Sequence, residues 1–173
     1  MNAEEYGNQQ KLLASLYEEY YDRIASYAYT RVGNRCDAED IASETFLKAL
    51  ESLKNYRDQG VPIQAWLFKI AHNLVVDHFR RLAKKREVPV EIMKVADEVN
   101  PAVAVEINMQ IEDVKQAMEK LTAEQREVLQ LRFFGELTSK EVGQTMNKSD
   151  GAVREMQRAA LEKLRRVLNN HQE

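Results

Sequence analysis

The sequence predicts an all-α protein built as two small helical domains joined by a linker. Three observations carry this. Apolar residues recur at three- and four-residue spacing along almost the whole chain, and no stretch alternates with period two for long enough to propose a strand. That periodicity fades once, from Glu87 to Pro101, with Pro89 and Pro101 near its ends. Three helix starts then crowd into residues 122–149, the layout of a small domain ending in a helix-turn-helix. A chain of 173 residues has room for two such units, which gives boundaries of 8–86, a linker at 87–104, and 105–170.

The first helix places Leu13, Leu16, Tyr20, Ile24, Tyr27 and Val32 on one face and ends at Gly33-Asn34. Asp37 is the expected N-cap of a second helix, with Ala42, Phe46, Ala49, Leu50 and Leu53 as its apolar stripe. Asn55 to Pro62, containing Gly60, reads as a loop. Pro62 suits the first turn of a third helix carrying Trp66, Leu67, Ile70, Leu74 and Phe79. The linker holds Val90, Ile92, Met93 and Val95, too apolar for a free solvated tether. Ile107, Ile111, Val114, Met118 and Leu121 resume helical spacing, with neither Gly nor Pro from Ala102 to Phe134.

Thr122 with Gln125, and Thr138 with Glu141, fit the capping box, in which hydroxyl and third-position side chain satisfy each other's backbone amides. Gly135 ends the first of these helices, Asn147-Lys148-Ser149 makes a short turn, and Ser149 caps the last helix. In a helix-turn-helix over residues 138–166, Val142, Met146 and Val153 pack inward. Leu161, Leu164 and Leu168 continue the apolar side, leaving Lys148, Ser149, Asp150, Arg154, Gln157 and Arg158 toward a DNA groove.

Composition narrows the function classes. A hydrophobic fraction of 44% with 31% charged residues, no apolar run of membrane length and an acidic, polar start are expected of a cytoplasmic protein with no membrane insertion. A lone Cys36 forms no internal disulfide and supplies no thiolate metal site. A net charge of −3 argues against a protein that grips DNA by overall electrostatics. The charge is segregated, however: Arg80, Arg81, Lys84, Lys85 and Arg86 stand without an acid, and Asp37, Glu39, Asp40 and Glu44 without a base, which suggests different faces for different partners. Catalysis would have to come from His72, Asp77 and His78. The two histidines are six residues apart on different helix faces, and no metal-site or phosphate-loop motif is present, so neither enzyme activity nor a cofactor is expected.

At the level of motifs the chain resembles the sigma-70 family of bacterial RNA polymerase sigma factors. Leu121-Thr-Ala-Glu-Gln-Arg-Glu-Val-Leu129 with Leu131-Arg-Phe-Phe-Gly135 is similar to the opening of their promoter-binding domain 4. The pair around Ser149-Asp-Gly-Ala-Val-Arg154 and Leu164-Arg165 resembles the minus-thirty-five reader. Asp37-Ala-Glu-Asp-Ile-Ala-Ser-Glu-Thr-Phe-Leu-Lys-Ala49 resembles the polymerase-binding helix of domain 2, and Ala65 to Arg81 the minus-ten helix. The match runs in order from Leu16 to Leu168 without a third DNA-binding domain, as in the extracytoplasmic-function type.

The resemblance implies core polymerase and promoter DNA as partners and allows an anti-sigma factor as a third. Glu39, Asp40, Ile41, Glu44 and Leu47 would dock on the clamp helices of the largest polymerase subunit. Tyr56, Arg57, Asp58 and Gln59 would hold a flipped promoter base, with Trp66, Asn73, Asp77, Arg80 and Arg81 along the opened strand. The linker would thread toward the polymerase active centre. The family usually has Thr after the recognition-helix Gly and Arg at the position of Ala159, whereas Ala152 and Arg158 stand here. The competing reading is a stand-alone helix-turn-helix regulator, which would bind its operator without polymerase.

Overall fold

The computed structural model describes residues 3–56, 60–86 and 105–170, and of 86 and 105–111 the backbone alone. The linker expected at 87–104 lies outside the described residues, as do Arg57, Asp58 and Gln59. Among the described residues every regular element is helical: α1 (Ala3–Val32), α2 (Arg35–Ser52), a 3-10 turn (Leu53–Asn55), α3 (Ile63–Arg86), α4 (Val105–Glu119), α5 (Ala123–Phe134), α6 (Ser139–Met146) and α7 (Asp150–Asn170).

The first three helices form one packing unit. Leu16, Tyr20, Ile24 and Tyr27 of α1 meet Ala38, Ile41, Ala42, Phe46 and Ala49 of α2 and Leu67, Phe68, Ala71, Leu74 and Val75 of α3, all buried. α1 ends as expected: Gly33 adopts φ 69°, and its amide donates to the Tyr29 carbonyl at 2.9 Å. The next cap differs from expectation. Asn34, not Asp37, is the N-cap of α2, its side chain accepting from the Asp37 amide at 3.0 Å, because the chain turns back into helix directly after Gly33. Leu50, expected in the apolar stripe of α2, is 44% exposed, since the stripe turns away through Ala42, Phe46 and Ala49. Pro62 stands just before the first residue of α3, and its carbonyl accepts the Trp66 amide at 3.2 Å.

In the second unit Ala117 and Leu121 carry the inward face of α4 and its following turn. Val114 is exposed instead of packed. Both expected capping boxes are present, at Thr122–Gln125 and Thr138–Glu141. Gly135 ends α5 with φ −82°, so its need for glycine is steric rather than conformational: a Cβ there would lie 2.7 Å from the Leu131 carbonyl oxygen and 2.9 Å from Leu137 Cγ. Asn147 takes the left-handed conformation, φ 56°, in the turn between α6 and α7. Val142 and Val153 are fully buried and Met146 packs against them, as a helix-turn-helix requires. Leu161 departs from the expected apolar side and is 46% exposed. Most of the buried apolar residues of both units belong to one continuous cluster, from Leu16 through Val75 to Val128, Leu131 and Val153.

Candidate polymerase and nucleic-acid interfaces

Helical spacing places Asp40, Glu44, Leu47 and Glu51 along one stripe of α2, with Leu50 beside them. Leu47 is 61% exposed, Asp40 is exposed and Glu44 half-buried; Glu39 is exposed and paired with Arg35 at 2.9 Å. Ile41 does not join this face. It is buried between α2 and the rest of the first unit, so it holds the helix in place instead of meeting a partner. Glu51 was absent from the expected docking face, although the spacing i, i+4, i+7, i+11 from Asp40 leads directly to it, and Leu50 was expected in the apolar stripe instead. Tyr17, 47% exposed, extends the apolar part and lies 5.0 Å from Phe46, ring centre to ring centre.

The loop before α3 is closed by Tyr56, whose hydroxyl donates to the Val61 carbonyl at 2.7 Å, while its ring lies 5.0 Å from that of Trp66. Trp66 is partly buried against the core yet shares a helix face with Asn73, Asp77 and Arg80. It packs against the core on one side and borders the exposed strip on the other. Asn73, Asp77, Arg80 and Arg81 are all exposed, with Arg80 3.4 Å from Asp77. Lys69 and Lys84 fall on the same strip and add to its positive charge. The strip from Trp66 to Arg80 measures about 21 Å at helical rise.

In the helix-turn-helix, Ser149 Oγ accepts from the Ala152 amide at 3.1 Å, capping α7. Ser139 Oγ meets Asp150 at 2.5 Å, fixing the angle between α6 and α7. Arg154 and Arg158 are well exposed, and Arg165 lies on the same stripe. Arg154 touches Asp150 at 3.3 Å, whereas Arg158 is held by Glu155 at 2.6 Å and Glu162 at 3.1 Å. Two of the expected groove-facing residues are engaged elsewhere. Gln157 turns inward to accept from Arg132 Nε at 3.1 Å, because Arg132 also reaches the Leu137 carbonyl and must be satisfied there. Lys148 pairs with Glu124 of α5 at 2.8 Å.

The histidines weighed for catalysis do not converge. His78 lies 3.8 Å from Asp37. His72 instead joins a buried cluster between the two units: Glu127 of α5, 2% exposed, takes hydrogen bonds from the Tyr27 hydroxyl and from His72 Nδ1 at 2.8 Å, and pairs with Arg31. Burial, and secondarily the Arg31 charge, push the His72 pKa down to about 4. The ring is therefore neutral at pH 7. An unfolded chain protonates its histidine near 6.5, before the folded one does. Stability from this site is thus complete above pH 6.5 and falls as pH drops toward 4, by about 1.4 kcal/mol per pH unit at most. Urea denaturation at pH 7.5 and pH 5 should show the extra acid loss in the wild type and not in His72→Asn. Equal losses in both would rule it out.

Comparison with known proteins places the chain in a family. The Sigma-70 region 2 family model matches residues 16–85 and the Sigma-70, region 4 model matches 117–166. The chain is 37% identical over 155 residues to the ECF RNA polymerase sigma factor BldN of Streptomyces coelicolor, covering 88% of this chain and 59% of that longer protein. It is 31% identical over 170 residues to the ECF sigma factor SigD of Mycobacterium bovis, covering 94% of this chain and 80% of that protein. The fold matches that of the sigma factor RpoE of Bartonella quintana, solved with the anti-sigma factor NepR, at a TM-score of 0.75 and 20% identity over 92% of this chain and 98% of that one. A stand-alone helix-turn-helix regulator would account for residues 117–166 only and leaves the region 2 match over 16–85 unexplained. With both regions present in order and relatives aligned along nearly the whole chain, this protein belongs to the sigma-70 family, in the extracytoplasmic-function group of sigma factors that direct bacterial RNA polymerase to promoters.

Proposed function

We propose that the three exposed faces divide the work of promoter recognition. The α2 stripe of Glu39, Asp40, Glu44 and Leu47 binds core polymerase, a mixed acidic and apolar surface suited to a basic helical partner. The strip from Tyr56 and Trp66 through Asn73, Asp77, Arg80 and Arg81 takes the opened minus-ten strand, bases toward the aromatic end and phosphates toward the basic end. The loop residues Arg57, Asp58 and Gln59 belong to the same proposed site. Arg154 and Arg158, following the Ser149 cap, read the minus-thirty-five element, with Ser149, Asp150 and Lys148 shaping the entry of α7. The observation that carries this reading is that the acidic face and the arginine face lie on different units and are both uncovered.

In this reading residues 8–86 and 105–170 are the two working domains and 87–104 their connection. The protein acts by binding, in the cytoplasm where polymerase is, and not by catalysis. Among the described residues no helix is long and apolar enough to cross a membrane. An anti-sigma factor is the proposed regulator, by analogy with the RpoE–NepR complex. In vitro transcription from genomic fragments with purified core polymerase plus this protein tests the whole. Promoter-specific transcripts are expected, and their absence rejects the reading.

Tyr56→Ala separates the minus-ten role from the others. Losing an aromatic stacking partner costs about 1–3 kcal/mol per base, so strand opening detected by permanganate should fall while protection of the minus-thirty-five region persists. Unchanged opening would remove Tyr56 from the site.

A further inference from the structure

The side of α7 that points away from the protein carries a carboxylate at its centre. Val153 and Ala160 are fully buried and fix the inward direction of the helix. At about 100° per residue, the opposite direction is held by Gly151, Glu155, Arg158 and Glu162, spaced i, i+4, i+7 and i+11. All four are exposed, whereas Arg154 lies to one side of this crest. Of the other residues expected to face DNA, Gln157 is taken by Arg132, Lys148 by Glu124 and Asp150 by Ser139.

Gly151 opens the crest in the first turn of α7 without a positive φ, and a Cβ added there would meet nothing within 4 Å. Neither backbone conformation nor packing asks for glycine, which inside a helix costs stability relative to alanine. What the missing side chain provides is room outside the protein, where a second molecule can approach the start of the helix closely. Glu155 follows one turn later, about 6 Å along the axis, as the first long side chain of the crest.

The position of Glu155 is set before any partner arrives. Arg158 Nε and Nη2 donate to its two carboxylate oxygens at 3.1 and 2.6 Å, and Arg158 Nη1 donates to Glu162 at 3.1 Å. This pairing holds the Glu155 carboxyl below the usual carboxylate range, so it is ionised at pH 7. Each oxygen still has acceptor capacity beyond its bond to Arg158. Phosphates repel such a group, and base edges suit it only where they donate. In the major groove guanine shows two acceptors, thymine an acceptor and a methyl group, and adenine an acceptor beside its donor. Cytosine alone shows a donor with no acceptor of its own.

We propose that Glu155 is the specificity-determining residue of the upstream reader, accepting a hydrogen bond from the exocyclic amino group of a cytosine in the minus-thirty-five element. Gly151 supplies the close approach. Arg158 is also a positioning residue, aiming the carboxylate and offsetting its charge near the phosphates. This rests on the reading that α7 meets the minus-thirty-five element, and adds which base is selected there.

The test is a base-by-base substitution series through the upstream element of a promoter found by transcription, bound by holoenzyme made from core polymerase and the full chain. With wild type, exchanging one particular C·G pair should weaken binding by about fivefold or more. Glu155→Ala should flatten that position to within about twofold and leave the preferences at the others in place. Glu155→Gln should move the choice there from cytosine to adenine, because a carboxamide pairs with both the donor and the acceptor of adenine. Arg158→Ala should blunt the same position, and Arg158→Lys, which keeps a donor for the carboxylate, should restore part of it. Gly151→Ala should raise the melting temperature and still weaken promoter binding, a combination that a purely structural glycine does not give. A merely solvated glutamate behaves differently: removing its charge lessens repulsion from DNA and raises affinity for every sequence alike. That result in folded Glu155→Ala and Glu155→Gln overturns the proposal, as does a loss spread evenly over all positions. A wild-type holoenzyme with no base preference anywhere in the upstream element overturns instead the reading of α7 on which the proposal rests.

Discussion

Asp40→Arg combined with Glu44→Arg is expected to abolish retention on core polymerase while the protein stays folded. Asp40 is exposed and Glu44 half-buried on the α2 stripe, whose buried side is carried by Ile41, Ala42, Phe46 and Ala49. Surface substitutions clear of packing and caps change stability by about 0.5 kcal/mol or less, so circular dichroism and the melting temperature should barely move. At the interface, two reversals replace attraction with like-charge contact against a basic partner, which costs several kcal/mol, about a hundredfold or more in affinity. The helix-turn-helix lies on the other unit, so its structure is untouched. Pull-down with core polymerase gives the answer. A folded double variant that is retained as well as wild type removes Asp40 and Glu44 from the interface, without removing the chain from its family.

The second large effect is on the upstream element. Arg154→Ala should leave polymerase association intact and cost about 1–3 kcal/mol in preference for the minus-thirty-five sequence if the guanidinium meets a base edge, or lower the salt slope of binding by about one if it meets phosphate. Arg158→Ala should cost less. Arg158 already spends its donors on Glu155 and Glu162, and those hydrogen bonds must be given up before DNA is reached, whereas Arg154 has only the longer Asp150 contact to break. Footprinting of the assembled complex at several salt concentrations measures both. No change in affinity or salt slope in either variant would mean that the recognition face of α7 lies elsewhere.

Much of the architecture was legible in the residues because it is local. Capping boxes at Thr122–Gln125 and Thr138–Glu141, the Ser149 cap and the Gly33 stop act within one turn of chain, and each is found where its residue types predicted it. The Asn34 cap was missed for a local reason too. Asp37 and Asn34 are both good caps, and only the direction in which the chain leaves Gly33 selects between them.

Side-chain commitments were not legible, because they depend on which neighbours arrive from elsewhere in the chain. Periodicity put Ile41 and Leu50 on plausible faces, but the packing of α2 against both α1 and α3 buries the first and exposes the second. Gln157 carries the right chemistry for a base edge, yet Arg132, 25 residues earlier, claims it. The placement of Glu127 is the clearest case. On α5 it sits in an apolar-rich stretch next to Val128 and reads as an ordinary helix residue. Only folding brings Tyr27, Arg31 and His72 around it, from two other helices and as much as 100 residues away. The sequence by itself determined that the chain is helical, where most of its helices begin and end, and which family's motifs it carries, since these follow from spacing and residue type. The tertiary structure decided which charges are exposed for partners and which are consumed between the units, because burial and pairing belong to the whole set of neighbours and not to any segment.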